Sequence, residues 1–376
     1  MNVVEKKVKT ILTTSRKIDS WFISKYGMNL YRGCPHACVY CDGRAEKYNV
    51  KDFGSTVTVK TNAIEILQKE LDPSRKPYLK KSGFIMLGGG VGDSYQPLEE
   101  KYKLTRRTLE LILEKKLPVH ILTKSTMVVR DLDILEKINK VSRVIISMSF
   151  SSVDDEISQL FEPGVPLPSK RLEVLKKIKE KGFSIGLFLL PVIPFITDKV
   201  ELLEDVFREA KRINVDFIVF GGMTLKEGKQ KNYFYNILGK YYPDLLVEYE
   251  NIYHKDPGGS PSKEYIDVLY KTLSVISSEY DIPVRIPPYL YRGLLDENNL
   301  VIIILEHIDY LLKLRGRRSP YGYAAYSISK LDKPLSMIKD KLREIKGVGR
   351  VTENIILEIL ETGTSRYYED LLFHRV

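Results

Sequence analysis

The sequence is short of cysteine, histidine and tryptophan, and these shortages narrow the class of protein. Its 376 residues include three cysteines, five histidines and one tryptophan. An odd number of cysteines in a long chain argues against the disulfide framework of a small secreted domain. No run of about 18 apolar residues occurs, so we expect no membrane partner. The first 17 residues are charged and lack the apolar segment of a secretion signal, so we expect a cytoplasmic protein.

All three cysteines stand in one short segment, Cys34-Pro-His-Ala-Cys38-Val-Tyr-Cys41. Three closely spaced thiolates can hold three irons of a [4Fe–4S] cluster. A fourth cysteine would complete the cluster, and because none exists one iron stays open. The usual occupant of that open iron is the amino-acid end of S-adenosylmethionine (SAM), whose reductive cleavage gives a 5′-deoxyadenosyl radical. The segment therefore predicts a [4Fe–4S] cluster and SAM as cofactors.

A zinc site is the alternative for the same segment. Structural zinc takes four Cys or His ligands, and His36 lies close enough to be the fourth. Only one residue separates His36 from Cys38, which is awkward for a tetrahedral site. The spacing therefore favours the iron–sulfur cluster.

Residues 31–41 resemble the radical SAM superfamily, and more narrowly its spore photoproduct lyase-like (DNA repair photolyase-like) branch. Further segments resemble the motifs of this branch in the expected order and extend the likeness over residues 25–225. A set of ordered motifs is far more specific than a lone glycine-rich match. The segments are 92–99, 123–125, 129–131, 162–172 and 191–198.

Strand-like and helix-like patterns alternate over the same part of the chain. Repeated βα units predict a parallel sheet with helices outside. The resemblance implies an α/β fold, a partial TIM-like (β/α)6 barrel, whose chemistry gathers at the C-terminal ends of its strands. The predicted strands are 56–59, 83–87, 118–122, 143–150, 184–190 and 216–222, and the predicted helices are 64–71, 101–115, 132–139, 171–181 and 200–212.

The resemblance also implies which residues bind SAM. Tyr40 is placed against the adenine, with simple loop packing as the alternative. The backbone at the end of a strand receives the methionine amino group, and polar side chains bind the carboxylate and ribose. Strand-end polar residues also commonly cap the following helix, so a structural role stays open for each. The predicted SAM-binding residues are Tyr40, Gly88, Gly89, Gly90, Lys124, Ser147, Ser149 and Arg171.

Asp93 and Tyr95 are the predicted catalytic residues, because by resemblance they face the substrate. The alternative is a local turn network that includes Gln96 and Glu99. True spore photoproduct lyases return a hydrogen atom from a further cysteine, and this chain has none, so Tyr95 is the candidate substitute. Asp42 stands where those enzymes carry a second tyrosine. Repair of thymine dimers is therefore not implied.

Basic residues exceed acidic ones by 59 to 49, a net charge of +10, which favours a polyanionic partner. Residues 299–373 resemble the helix-hairpin-helix domain that opens family X DNA polymerases. In such a hairpin, backbone amides at a helix N-terminus contact phosphate without reading sequence. Ile355 stands where lyase-competent relatives carry a lysine, so binding is implied and lyase chemistry is not. The predicted nucleic-acid-binding residues are Arg315, Arg317, Arg318, Gly347, Gly349 and Arg350.

These features predict a radical SAM enzyme that acts on DNA, with flavodoxin or ferredoxin as its reductant. One alternative is the same chemistry on RNA, such as tRNA modification. Another is a redox-sensing nucleic-acid binder whose cluster tunes affinity without turnover. The predicted segments are an N-terminal extension (1–24), the core barrel (25–225), a helical flank (226–298) and an all-α helix-hairpin-helix domain (299–376).

Overall fold

The structure is a computed structural model that describes residues 1–254 and 256–375. Lys255 and Val376, which fall in the third and fourth predicted segments, lie outside the described residues. Ten strands are formed in the described part of the chain. They are β1 (Asn2–Lys6), β2 (Leu12–Asp19), β3 (Ser24–Met28), β4 (Tyr31–Arg32), β5 (Thr56–Lys60), β6 (Ile85–Leu87), β7 (Val119–Thr123), β8 (Val144–Phe150), β9 (Ser184–Val192) and β10 (Phe217–Gly222).

Seven of these strands form one sheet in the order β10-β9-β8-β7-β6-β3-β2. The six strands from β3 to β10 in that order run parallel, and β2 pairs antiparallel with β3 at the edge. Every residue of β8 is buried, as expected for a parallel strand covered on both faces. The predicted partial (β/α)6 barrel is therefore confirmed.

Fifteen α-helices occur in the described residues, and those between the strands cover the outside of the sheet. α7, for example, buries Leu203, Val206, Phe207 and Ala210 on one face. The helices are α1 (Ala63–Glu70), α2 (Glu99–Tyr102), α3 (Leu104–Lys115), α4 (Leu132–Val141), α5 (Asp155–Phe161), α6 (Pro168–Glu180), α7 (Val200–Arg212), α8 (Lys229–Tyr241), α9 (Leu246–Ile252), α10 (Lys263–Tyr280), α11 (Pro288–Tyr291), α12 (Glu297–Leu314), α13 (Tyr321–Ile328), α14 (Arg350–Thr362) and α15 (Arg366–Leu372).

The prediction of one continuous helix over residues 101–115 is wrong, because two helices occupy this range. Lys103 has a left-handed backbone with φ of 51°, which ends α2 and starts α3. Left-handed backbone in a lysine is set by its surroundings and not by its side chain. One continuous helix was therefore the wrong expectation at this point.

The N-terminal 24 residues take part in both sheets. β1 pairs parallel with β5, and β4 pairs antiparallel with the other edge of β5, forming a three-stranded sheet. β2 is the edge strand of the barrel sheet. The C-terminal segment is helical, as predicted, and shares one continuous apolar core with the barrel. No helix in the described ranges is long and apolar enough to cross a membrane.

Candidate active site

The three cysteines open onto one cavity at the C-terminal ends of the barrel strands. Cys34 and Cys38 are buried and Cys41 is half-buried, and all three thiols are free. The cavity has a volume of about 260 Å³ and is lined by Cys34, Cys38 and Cys41. Within the described part of the chain, no group of three or more His, Cys, Asp or Glu side chains is arranged around a single metal ion.

Burial makes the isolated thiols poor thiolates. It raises the pKa of Cys38 to about 12, and it also raises the pKa of Cys34 and Cys41. A coordinating cation reverses this preference, because a metal-bound thiol is deprotonated outright. Three free thiols facing one cavity therefore fit a three-cysteine cluster.

Arg44 braces the segment that carries the cysteines, a role that the sequence did not indicate. Its Nε donates to the carbonyl of Cys38 at 3.0 Å, and its Nη2 donates to the carbonyl of Ala37 at 2.7 Å. The guanidinium lies 3.6 Å from the centre of the Tyr233 ring on α8. Arg44 thus fixes the loop backbone at the second cysteine, Cys38.

Asp42, next to the last cysteine, ties the loop to the helical flank. Its carboxylate accepts hydrogen bonds from Lys226 Nζ at 2.6 Å and from Thr224 Oγ1 at 2.8 Å. Gln230 Nε2 donates to Asp42 at 3.1 Å and to the carbonyl of Tyr40 at 2.9 Å. The residue that departs from the spore photoproduct lyase pattern therefore has a positioning role here.

The three glycines after β6 line the cavity, as the predicted role of their backbone requires. Gly88 has φ of +97°, and a Cβ there would lie 1.9 Å from the carbonyl oxygen of Leu122. Only glycine fits this close approach of two strand ends. At Gly90 a Cβ would meet the side chain of Asn29 at 2.7 Å.

Asp93 lies in the cavity wall and holds the end of β7. Its Oδ1 accepts from Thr123 Oγ1 at 2.7 Å and from the Tyr95 amide at 2.8 Å, and its Oδ2 accepts from the Lys124 amide at 2.7 Å. Nδ1 of the buried His36 lies 3.6 Å from Asp93 Oδ2. Asp93 borders the cavity, and its catalytic role stays a prediction.

Lys124 and Ser149 also line the cavity, at the ends of β7 and β8. Lys124 Nζ donates to Ser149 Oγ at 3.0 Å and to Glu162 Oε1 at 2.9 Å. The ammonium is thereby fixed beside the cysteines. This placement agrees with the expected contact to the SAM carboxylate, which stays a prediction.

Glu162 is the centre of a buried polar network, and sequence reasoning gave it no role. Besides Lys124, it accepts from Arg171 Nη2 at 2.6 Å and from Ser151 and Ser158 Oγ at 3.1 Å each. The hydroxyl of Tyr40 donates to the same carboxylate. Burial raises the pKa of Glu162, but the charges of Arg171 and Lys124 outweigh burial and hold this pKa below its ordinary value. Its place in the E-P segment of the family pattern was the available signal.

Three predicted SAM-binding residues lie behind the cavity wall. Arg171 is fully buried and also donates to the carbonyl of Ser149. Ser147 Oγ is bonded to His120 Nε2 at 2.8 Å inside the barrel. The ring of Tyr40 is buried, with Lys124 Nζ 5.6 Å from its centre. None of these three residues is among those that line the cavity.

Tyr95 is fully buried and is not among the residues that line the cavity. Its ring lies 6.0 Å from the guanidinium of Arg130, which pairs with the buried Glu99 at 2.8 Å. Glu99 in turn accepts from the amide of Thr105 at 2.9 Å. Tyr95 therefore lies in the local turn network that was the alternative to a catalytic role. Its catalytic role stays a prediction.

The predicted nucleic-acid-binding residues of the C-terminal segment are exposed or half-buried. Arg317, Arg318, Gly349 and Arg350 are exposed. Arg315 is half-buried, and its Nη2 donates to the carbonyl of Leu371 at 3.0 Å. Gly347 has φ of +88° and packs on Tyr323, whereas Gly349 caps α14 in extended backbone. Nucleic-acid binding by these residues stays a prediction.

Comparison with known proteins gives a family match over the core. The family model of the radical SAM superfamily matches residues 28–206. An uncharacterised protein of Methanocaldococcus jannaschii is 30% identical over 252 residues, which cover 66% of this chain and 86% of that protein. An uncharacterised protein of Mycobacterium tuberculosis is 29% identical over 261 residues, which cover 68% of this chain and 74% of that protein.

The solved structures with a similar fold include spore photoproduct lyase complexed with dinucleoside spore photoproduct. It superposes with a TM-score of 0.55 at 16% identity and covers 74% of this chain and 79% of its own. A mutant of that lyase with bound SAM and the same dinucleoside has a TM-score of 0.53, with the same identity and coverage. The chain belongs to the radical SAM superfamily, and it is a radical SAM enzyme whose cofactors are a [4Fe–4S] cluster and SAM.

Proposed function

We propose that this radical SAM enzyme acts on DNA and repairs or modifies a base. The main support is the fold shared with spore photoproduct lyase, whose structure holds a dinucleoside substrate. The net charge of +10 and the exposed arginines around Gly349 add support, because cations and helix N-termini bind phosphate.

In this proposal the residues around the cavity divide the work. Cys34, Cys38 and Cys41 hold three irons and leave the fourth for SAM. SAM bound in this way would supply the hydrogen-abstracting radical chemistry of this cofactor when the cluster is reduced. The backbone of Gly88–Gly90 and the side chains of Lys124 and Ser149 hold SAM in the cavity.

Glu162 and Asp93 act as positioning residues in the same scheme. Glu162 keeps the ammonium of Lys124 and the hydroxyl of Tyr40 in place beside the cavity. Asp93 holds the end of β7, so that the Lys124 backbone cannot drift from the glycine segment. Asp93 also borders the cavity and keeps its proposed catalytic role, whereas a hydrogen donated by Tyr95 would have to cross the cavity wall.

The test is anaerobic reconstitution followed by measurement of 5′-deoxyadenosine with and without DNA. We expect cleavage of SAM under a strong reductant and a change in its rate when DNA is added. Absence of cleavage with every reductant, flavodoxin and ferredoxin included, would contradict the enzyme activity. Cleavage that DNA does not change, with no DNA binding at low salt, would remove DNA as the substrate.

Two further outcomes identify the alternatives. Turnover stimulated by RNA and not by DNA would assign the substrate to RNA. Nucleic-acid affinity that follows cluster oxidation, without SAM cleavage, would identify a redox sensor. Cys41→Ser separates these cases, because it abolishes turnover in an enzyme and changes affinity in a sensor.

A further inference from the structure

The outer face of the three-stranded sheet is polar, whereas its inner face is part of the core. Along β5, Val57 and Val59 are fully buried, and the residues between them point the other way. Two adjoining cavities lie on the outer face, with volumes of about 390 and 260 Å³. They share Arg32 and Val50, and together we call them the cationic groove.

Five cations line the cationic groove. Lys6, Arg32 and Lys51 line the larger cavity, and Lys47 and Lys60 line the smaller one together with Arg32. No Asp or Glu is among the described residues that line either cavity. None of the five forms an ion pair within residues 1–254 and 256–375, although lysines and arginines elsewhere on the molecule do.

The strand register brings two of these cations together at a cost in stability. Lys6 of β1 is the direct partner of Lys60 of β5, and like charges facing each other across strands are destabilising. Burial lowers the pKa of Lys60, and the charge of Arg32 lowers it further. Glu5, next to Lys6, instead accepts from the Tyr102 hydroxyl at 2.7 Å. Positive charge is therefore concentrated among the described residues that line the groove, and no carboxylate lines it with them.

The cationic groove leads toward the cavity that holds the cysteines. Its smaller part shares Asn29 with a third cavity of about 160 Å³. That third cavity shares Phe22, Gly89 and Gly90 with the cavity of the three cysteines. The cationic groove and the glycine segment at the end of β6 are therefore linked through residues that neighbouring cavities share.

We propose that the cationic groove binds the sugar–phosphate backbone of the nucleic-acid strand whose target base enters the cysteine-lined cavity. This inference rests on the proposed nucleic-acid substrate and gives it a path on the barrel itself, separate from the C-terminal hairpin. Clustered cations bind phosphates without reading sequence. Tyr48, with Lys47 Nζ 4.9 Å from its ring centre, offers an aromatic face beside that path.

The experiment measures binding of a fluorescein-labelled single-stranded DNA to the reconstituted full chain by anisotropy across a salt series. The test variant combines Lys6→Gln, Arg32→Gln and Lys51→Gln. The control combines Lys137→Gln, Lys140→Gln and Lys211→Gln, which remove the same charge from exposed positions on α4 and α7. Each lost phosphate contact to a single strand reduces the magnitude of the slope of log K against log salt by about 0.7. We therefore expect the slope of the test variant to be shallower by about 2. The control should keep the wild-type slope.

The outcomes separate this inference from the proposed function. A test variant with the wild-type slope, in an enzyme whose SAM cleavage still responds to DNA, overturns the cationic groove and leaves the DNA substrate standing. A reduced slope in an enzyme whose cleavage ignores DNA supports the cationic groove and removes the DNA substrate. An equal loss of slope in the control would also overturn the groove, because binding would then follow net charge.

Discussion

At the scale of single residues, Glu162 has the most consequential contacts in the site. One buried carboxylate accepts hydrogen bonds from the cysteine segment, the end of β7, the turn after β8 and α6. A buried charge of this kind is stable only while its partners remain, because an unpaired buried ion is costly. The position of Lys124 beside the cavity therefore depends on a residue that does not line it.

Replacing this carboxylate gives the first prediction. Glu162→Gln keeps the shape of the side chain but leaves Lys124 and Arg171 without their counterion, so we expect a loss of about 3–5 kcal/mol in stability. Urea unfolding measures this loss. Glu173→Gln on α6 removes an equivalent charge from an exposed pair with Lys177 and should leave stability unchanged. Equal stability of the two variants would contradict the proposed role of Glu162.

The buried histidine at the centre of the barrel predicts a pH dependence. Burial lowers the pKa of His120 from 6.5 to about 4. Above pH 6.5 the imidazole is neutral in both states and its full contribution to stability is present. As the pH falls below 6.5, His120 becomes protonated in the unfolded chain but stays neutral in the folded chain. Stability therefore declines until about pH 4.

Urea unfolding at two pH values tests this dependence. The wild type should lose stability between about pH 7.5 and pH 5. In His120→Gln this loss should be smaller by about 2 kcal/mol. His254→Gln changes an exposed histidine and is the matched control. A wild-type pH dependence in the His120 variant would show that the imidazole is already protonated in the folded chain.

At the scale of elements, the loop between β4 and β5 carries the three cysteines and is braced by Arg44. Arg44→Lys keeps the charge but loses the planar group that reaches two carbonyls and stacks on Tyr233. We expect less iron and sulfide per chain after reconstitution, measured by chemical analysis and by visible absorbance. Arg208→Lys on α7, an exposed arginine paired with Asp205, should retain full iron content.

The turn before α14 contains two glycines in different surroundings. Gly347→Ala would force a side chain into the left-handed region and against Tyr323 at 2.7 Å, so we expect a loss of about 1–3 kcal/mol. Gly349→Ala meets nothing within 4 Å and should leave stability unchanged. Thermal unfolding of both variants measures the difference. A large loss at Gly349 would mean that the hairpin packs differently.

The same elements show which parts of the structure the sequence could predict. The parallel strands were found because runs such as Val144–Phe150 are mainly apolar, and a strand buried on both faces favours that pattern. The break at Lys103 was missed because nothing in a lysine indicates left-handed backbone. The Glu162 network was missed because two of its partners are distant in sequence, Lys124 by 38 residues and Tyr40 by 122. The cationic groove depends on the pairing of β1 with β5, which local patterns do not reveal.

At the scale of the whole molecule, the C-terminal helices are built into the barrel. Buried residues of α12, α14 and α15 belong to the same apolar core as the barrel strands. His307 on α12 bonds the carbonyl of Ser20 at 2.8 Å and the hydroxyl of Tyr368 at 2.7 Å. Lys17 on β2 pairs with Glu306. The C-terminal helices are therefore packed against the barrel that carries the cysteine-lined cavity.

Removal of residues 297–376 tests this integration. The truncated chain would expose the face of the barrel that α12 covers, so we expect a lower unfolding temperature and aggregation, measured by calorimetry and light scattering. The matched control is the full chain with Arg317→Gln, Arg318→Gln and Arg350→Gln, which changes exposed charges only and should unfold at the wild-type temperature. A truncated barrel as stable as the full chain would mean that the helical segment is an independent module. The proposed nucleic-acid contact on that segment would then have no fixed position relative to the cavity, and it would not act on one strand in register with the cationic groove.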